Sequence, residues 1–202
     1  NIALRLLRIL NSRKIVTSLE QDYSLAYEDA EIVVFMGALL HDIGVSVHRD
    51  EHEAFSIPLA MGIIDRLLDG LYEPRTRIIM RSEILHSIIA HHGANRCLTL
   101  EAGVVKVADA LDMCEGRSRI SFEAGEINIY SVSSMAVVSI EIKEGTSKPI
   151  LIEIKMNNSA GIFQIDNLLK RKIFDSSIKD LIEISAIVKP EKEKKIISNY
   201  SF

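Results

Sequence analysis

Apolar positions recur every three to four residues through the first half of the chain, and every second residue through much of the second half. Residues 1–20 read as the end of one amphipathic helix (Ile2, Leu4, Leu6, Leu7, Ile9, Leu10) and a polar turn around Asn11-Ser12-Arg13. A second helix is predicted over 28–42, apolar without a break from Ile32 to Leu40. Val45 to Asp50 forms a loop. Glu51-His52-Glu53 then opens a third helix, with the stripe Phe55, Ile57, Leu59, Ala60, Ile63, Ile64, Leu67 and Leu68. Pro58 falls in its first turns, where a missing backbone donor is tolerated, and Gly70 and Pro74 end it. A fourth helix runs from Arg75 to Ala90 and closes at His91-His92-Gly93. Thr99 caps a fifth, which carries Val104, Val105, Val107, Ala108, Leu111 and Met113 and ends at Gly116. This half is all-α.

The pattern changes near Ile120. Ile127–Val132, Ala136–Lys143 and Ile150–Lys155 alternate apolar and polar side chains and are rich in β-branched residues, with Gly145 and Pro149 as punctuation. Asn157 to Ser159 caps a helix containing Ile162, Phe163, Ile165, Leu168, Leu169 and Ile173. Leu181–Val188 is a fourth strand, and Lys189 to Lys195 a solvated charge run. The expected fold is therefore mainly α: an all-helical domain over 1–119, followed by a small α+β domain over 120–202 in the order β-β-β-α-β. Open strand edges in that second domain suit pairing with another copy, so a homodimer is expected.

Composition narrows the partners. With 48% hydrophobic and 26% charged residues, the 202-residue chain can bury a core. A net charge of −4 gives no basic field for nucleic acid or an anionic membrane, and no apolar run reaches the length of a membrane span. A small-molecule partner is expected instead. Cys97 and Cys114 fit neither a zinc spacing nor a disulfide framework, which points to a reducing cytoplasm. The chain opens on Asn1 inside a helical pattern, so its numbering is expected to begin partway into a longer protein, with a functional residue just upstream.

All six histidines fall between positions 41 and 92. His41-Asp42 ends the apolar second helix before Gly44, and Asp109 is flanked by Ala108 and Ala110 on the fifth. Polar side chains at the ends of buried helices are costly unless a partner satisfies them, and a divalent cation is the simplest partner for imidazole and carboxylate together. In a helical bundle such sites are built by side chains of facing helices.

The run His41-Asp42, His52, Ile88-Ile89-Ala90-His91-His92 and Val107-Ala108-Asp109 resembles the HD-domain superfamily of metal-dependent phosphohydrolases. The resemblance covers about residues 1–119. It is nearest in pattern to symmetrical diadenosine tetraphosphate hydrolases and to the HD-GYP branch, whose Gly-Tyr-Pro signature is absent. It implies that His41, Asp42 and Asp109, with a first His just before Asn1, bind one metal. His52 and His91 would bind a second, with Asp42 as the bridge, so that Asp42, His52 and His91 carry the catalysis. One or two divalent ions per chain are implied, from among Mn, Fe, Co, Ni, Zn and Mg. Arg117, Arg49, Lys106 and His86 are candidate contacts to a phosphorylated substrate, a nucleotide or dinucleotide by resemblance. A di-iron oxygenase on the same scaffold and a non-catalytic, metal-containing binding or dimerisation module are the competing readings.

Overall fold

The computed structural model describes residues 1–93, 95–112, 133 and 135–188. The chain forms two compact units: Asn1–Ala110 with Lys172–Leu181, and Leu111–Arg171 with Ile182–Phe202.

In the helical unit, α1 (Ile2–Ser12) buries Ala3 with Leu6, Leu7 and Leu10 of the predicted stripe, while Ile2, Leu4 and Ile9 are half-buried. The centre of the unit is α3 (Tyr27–Leu40), which buries Ala30, Val33, Val34, Met36, Gly37 and Leu40. Its apolar side chains occupy every side; Phe35 and Leu39 are exposed, and α3 packs against α1, α4 (His52–Leu68) and α5 (Pro74–Ala90). A 3-10 turn, Ile43–Ser46, joins α3 to α4 and packs on the latter. The last helix of the match to the sequence pattern, α6, spans Leu100–Leu111. Glu73 caps α5 by accepting the backbone N–H groups of Arg75 and Thr76, with Pro74 in the first helical position.

A further helix, α2 (Ser18–Tyr23), is not predicted by the apolar spacing of residues 1–20. Its start is a capping box in which Thr17 and Glu20 satisfy each other's backbone donors. Glu101 Oε1 accepts the Leu19 N–H at 3.1 Å, while Ser18 Oγ accepts the Leu100 N–H at 2.8 Å. The first turns of α2 and α6 thus cap one another across the bundle. Burial raises the Glu101 carboxyl above its ordinary 4.5. Burial also raises Glu83, as does the charge of Glu101, against a hydrogen bond from Tyr23. A carboxyl whose pKa rises on folding stabilises the folded state below its unfolded value, and that contribution fades as pH climbs through the folded value. The stability of Glu101→Gln relative to wild type is therefore expected to increase with pH above about 4.5, as melting curves at a series of pH values will show. A difference that stays flat with pH would remove Glu101 ionisation as its cause.

The second unit contains a three-stranded sheet in the order β1-β2-β3: β1 (Val137–Glu144), β2 (Ile150–Met156) and β3 (Ile182–Val188). β1 and β2 pair antiparallel, with Glu144 opposite Ile150 across the turn at Gly145. β2 and β3 pair parallel, with Ile150 opposite Ile182, which requires a crossover. The crossover is α7, in which α-helical turns Ile162–Gln164 and Lys170–Phe174 flank a π-helical stretch, Ile165–Leu169. Along β2, Ile150, Ile152, Ile154 and Met156 are buried while the residues between them are half-buried, the period of two read from the sequence. The predicted strand 127–132, the helix end at Gly116, Cys114 and the charged tail lie outside the described residues.

Candidate metal centre

The site follows from one close approach. A methyl group on Gly37 of α3 would stand 2.9 Å from Ser87 Cβ of α5 and 3.3 Å from Val105 Cγ2 of α6. Three helices therefore meet at Gly37 because it has no side chain. Side chains four residues apart share a helix face. One turn beyond Gly37, Ser87 and Val105 stand His41, His91 and Asp109. The same contact that packs the core gathers the ligands-to-be.

Each imidazole is then fixed by a backbone carbonyl three residues earlier. His41 Nδ1 lies 2.8 Å from Ala38 O, His91 Nδ1 2.6 Å from Ile88 O, and His52 Nδ1 2.9 Å from Arg49 O. His41 and His91 follow directly on the last residues of α3 and α5, where the final carbonyls have no helical partner. A carbonyl only accepts, so each Nδ1 carries the proton and, in the neutral ring, each Nε2 presents a lone pair. These Nε2 atoms converge. His52 Nε2 and His91 Nε2 are 3.2 Å apart, and His41 Nε2 is buried without a hydrogen-bond partner among the described residues. Lone pairs so placed repel unless a cation lies among them.

Asp42 faces this set with both oxygens. Its Oδ1 is 3.1 Å from His52 Nε2 and 3.5 Å from His91 Nε2; its Oδ2 is 3.4 Å from His41 Nε2. Asp109 Oδ1 completes the His41 side at 3.6 Å. Atoms about 2.1 Å from one ion in tetrahedral or octahedral array stand roughly 3.0–3.4 Å from each other. The separations of 3.1, 3.2 and 3.4 Å fall in that range and those of 3.5 and 3.6 Å lie just beyond it, and the two oxygens of Asp42 face different imidazoles. His41, Asp42 and His91 form one group that could hold a metal ion, and His52, Glu53 and His92 another. The C-terminal ends of α3, α5 and α6, with their negative partial charge, favour a cation at the same place.

The protonation equilibria express this surplus of acceptors. Burial opposes charge on His41, but the carboxylates of Asp109 and Asp42 beside its Nε2 outweigh it and push its pKa up to about 10. His41 and then His91 hold the Asp42 carboxyl far below the usual range. Asp109 is also depressed, because His41 and Lys172 overcome its burial. Burial keeps His92 below its ordinary value, and Lys172 adds to that against the pull of Glu53. His91 is 1% exposed and Asp42 48%, so the set has a closed floor and an open mouth.

The structure thus brings together His41, Asp42, His52, His91 and Asp109. It places the other candidates elsewhere. His86 Nε2 accepts the Leu98 N–H at 3.0 Å and braces the loop before α6, because five residues turn it well away from His91. Lys106 is wholly buried and donates to Asn95 O at 2.8 Å, its stem running back along α6 rather than toward Asp109. Arg49 is exposed and contributes its carbonyl to His52. Arg117 lies outside the described residues. Two participants were not singled out from the sequence: Glu53, whose Oε2 lies 3.7 Å from His52 Nδ1 and 3.5 Å from His92 Nδ1, and Lys172, paired with Asp109 Oδ2. Adjacency to His52 is the signal that could have found Glu53. Lys172 has none.

Comparison with known proteins gives a consistent picture. The family model described as HD domain matches residues 2–114. The chain is similar to the uncharacterised protein MJ1020 of Methanocaldococcus jannaschii, 43% identical over 192 residues, which cover 95% of this chain and 74% of that protein. No solved structure matches. Among the described residues no helix is long and apolar enough to cross a membrane.

Proposed function

Since this chain belongs to the HD-domain family, whose members are in general metal-dependent hydrolases, we propose that it hydrolyses a phosphate ester or anhydride, of a nucleotide or dinucleotide, with metal-activated water. The observation that carries the reading is the division of Asp42 between His41 on one oxygen and His52 with His91 on the other. His41, Asp42 and Asp109 would hold one divalent ion; His52, His91 and the other oxygen of Asp42 would hold another. Two ions so placed supply Lewis acidity toward phosphoryl oxygens and a water of lowered pKa.

The chain's own residues do the positioning. Carbonyls of Ala38, Arg49 and Ile88 hold the three Nδ1–H groups, so no ring has to turn before its Nε2 can meet a metal. The half-exposed Asp42 marks the side from which substrate enters, and Arg117 and Arg49 are the phosphate clamps that the sequence offers. The helical unit carries this chemistry. Among the described residues of the second unit, the edges of the three-stranded sheet suit pairing with a second copy, and the protein acts in the cytoplasm on a small phosphorylated molecule.

The test is metal analysis of the protein, followed by phosphate release from nucleotides and dinucleotides with each of Mn, Fe, Co, Ni, Zn and Mg. Turnover that requires a divalent ion and is lost with EDTA is expected. Iron at two per chain with oxygen consumption and no phosphate release would overturn the reading.

A further inference from the structure

Asp109 Oδ2 faces an ammonium that comes from outside the residues matched by the family model: Lys172, in the last turn of α7. The side chains of Lys172 and Asp109 are 22% and 18% exposed. Among the described residues Lys172 is the lysine or arginine paired with one of the gathered carboxylates.

This ion pair is not what holds the segment in place. Within the helical unit, Ile173, Ser176 and Ile178 are buried, and Ser177 Oγ donates to Thr99 O at 2.6 Å. Gly103 of α6 admits Ser177 so closely that a methyl there would stand 2.2 Å from its Oγ. The backbone at Lys172 is therefore fixed by its neighbours in sequence, and the ammonium reaches Asp109 on a four-carbon stem. A lysine ammonium is a compact point charge with three donors, well suited to phosphoryl oxygens. In a site rich in carboxylates, an incoming phosphate needs such a group on the oxygens that metals do not reach.

We propose that Lys172 is a substrate-contacting residue: its ammonium neutralises Asp109 while no metal is bound, and turns to a non-bridging phosphoryl oxygen once a divalent ion engages that carboxylate. The inference rests on the phosphohydrolase reading above. It is tested on the full chain loaded with Mn²⁺, by calorimetric titration with inorganic phosphate, beside Mn²⁺ titration and melting curves of wild type, Lys172→Gln and Lys172→Arg. Wild type is expected to bind phosphate only when Mn²⁺ is present. Lys172→Gln should weaken that binding roughly 10–100-fold, the value of a charge-assisted hydrogen bond. Its Mn²⁺ affinity should be unchanged or higher, because a competing cation has gone, and its melting temperature close to wild type; Lys172→Arg should recover part of the phosphate affinity. Phosphate affinity in Lys172→Gln within twofold of wild type overturns the inference, and so does joint loss of Mn²⁺ binding and melting temperature. Wild type that binds Mn²⁺ but no phosphate overturns the parent reading, and the inference with it.

Discussion

Asp42→Asn is expected to leave the protein folded and unable to retain a pair of divalent ions. The side chain is half exposed, so the fold does not depend on burying it. Its two oxygens serve different imidazoles, and an amide offers one acceptor where the carboxylate offers two. The NH₂ end would point a donor at whichever Nε2 lone pair it faced. The loss of metal affinity should exceed the roughly 10–100-fold that removal of an outer-sphere partner costs. A second readout follows from the raised pKa of His41. With that value near 10, the metal-free ring is protonated at neutral pH, and a metal must displace the proton. Metal uptake by wild type is therefore expected to release a proton at pH 7, to tighten as pH rises, and to stop releasing that proton above about pH 10. Calorimetry in two buffers of different ionisation enthalpy measures the release. Asp42→Asn removes one of the two carboxylates that raise His41, so any residual uptake should release less. Equal stoichiometry and affinity in the variant would break the assignment of Asp42 as the shared donor.

How far the sequence could be read depends on whether a residue's role is set nearby. The extents of α3 to α6 were legible because apolar residues run through each, but the buried face was not always. Of the stripe predicted for α4 only Ala60, Ile64 and Leu68 are buried, while Phe55, Leu59 and Leu67 are exposed. The strands β1, β2 and β3 were legible because β-branched residues alternate. α2 was not, since it buries a single apolar residue, Leu19; only the pair Thr17 and Glu20 announces it. His41-Asp42, His52, His91 and Asp109 could be gathered as candidates because ends of successive helices in a bundle return to the same end. The azimuth of neighbours was harder. Lys106 lies three residues before Asp109 and shares much of its face, yet its length lets it reach back to Asn95 O. Lys172 reaches Asp109 from beyond α6, a relation no local pattern encodes.

Gly44→Ala is expected to lower stability and metal content together. A methyl group on Gly44 would stand 2.1 Å from His52 O, 2.5 Å from Ser56 N and 2.9 Å from Phe55 C. All three are backbone atoms at the start of α4, so no side chain can turn aside to make room. Either the 3-10 turn or the first turn of α4 must move. Ser56 ties the two together, accepting the Gly44 N–H at 2.9 Å and donating to His41 O at 2.7 Å, and it is fully buried. Separation breaks that bridge and adds the cost of a misfitted group, for about 2–4 kcal/mol in all. In a domain of this size that is a fall of roughly 5–15 °C in melting temperature. The same displacement draws His52, the first residue of α4, away from Asp42 Oδ1 at 3.1 Å, so one of the two metal equivalents should weaken more than the other. Ser56→Ala provides the contrast: it removes the two hydrogen bonds without inserting anything, and should cost about 1–3 kcal/mol while both equivalents remain. Melting curves and metal stoichiometry of the two variants side by side decide the matter. A Gly44→Ala protein that melts with wild type and binds its metals equally well would mean that the approach of the 3-10 turn to α4 does not set the position of His52.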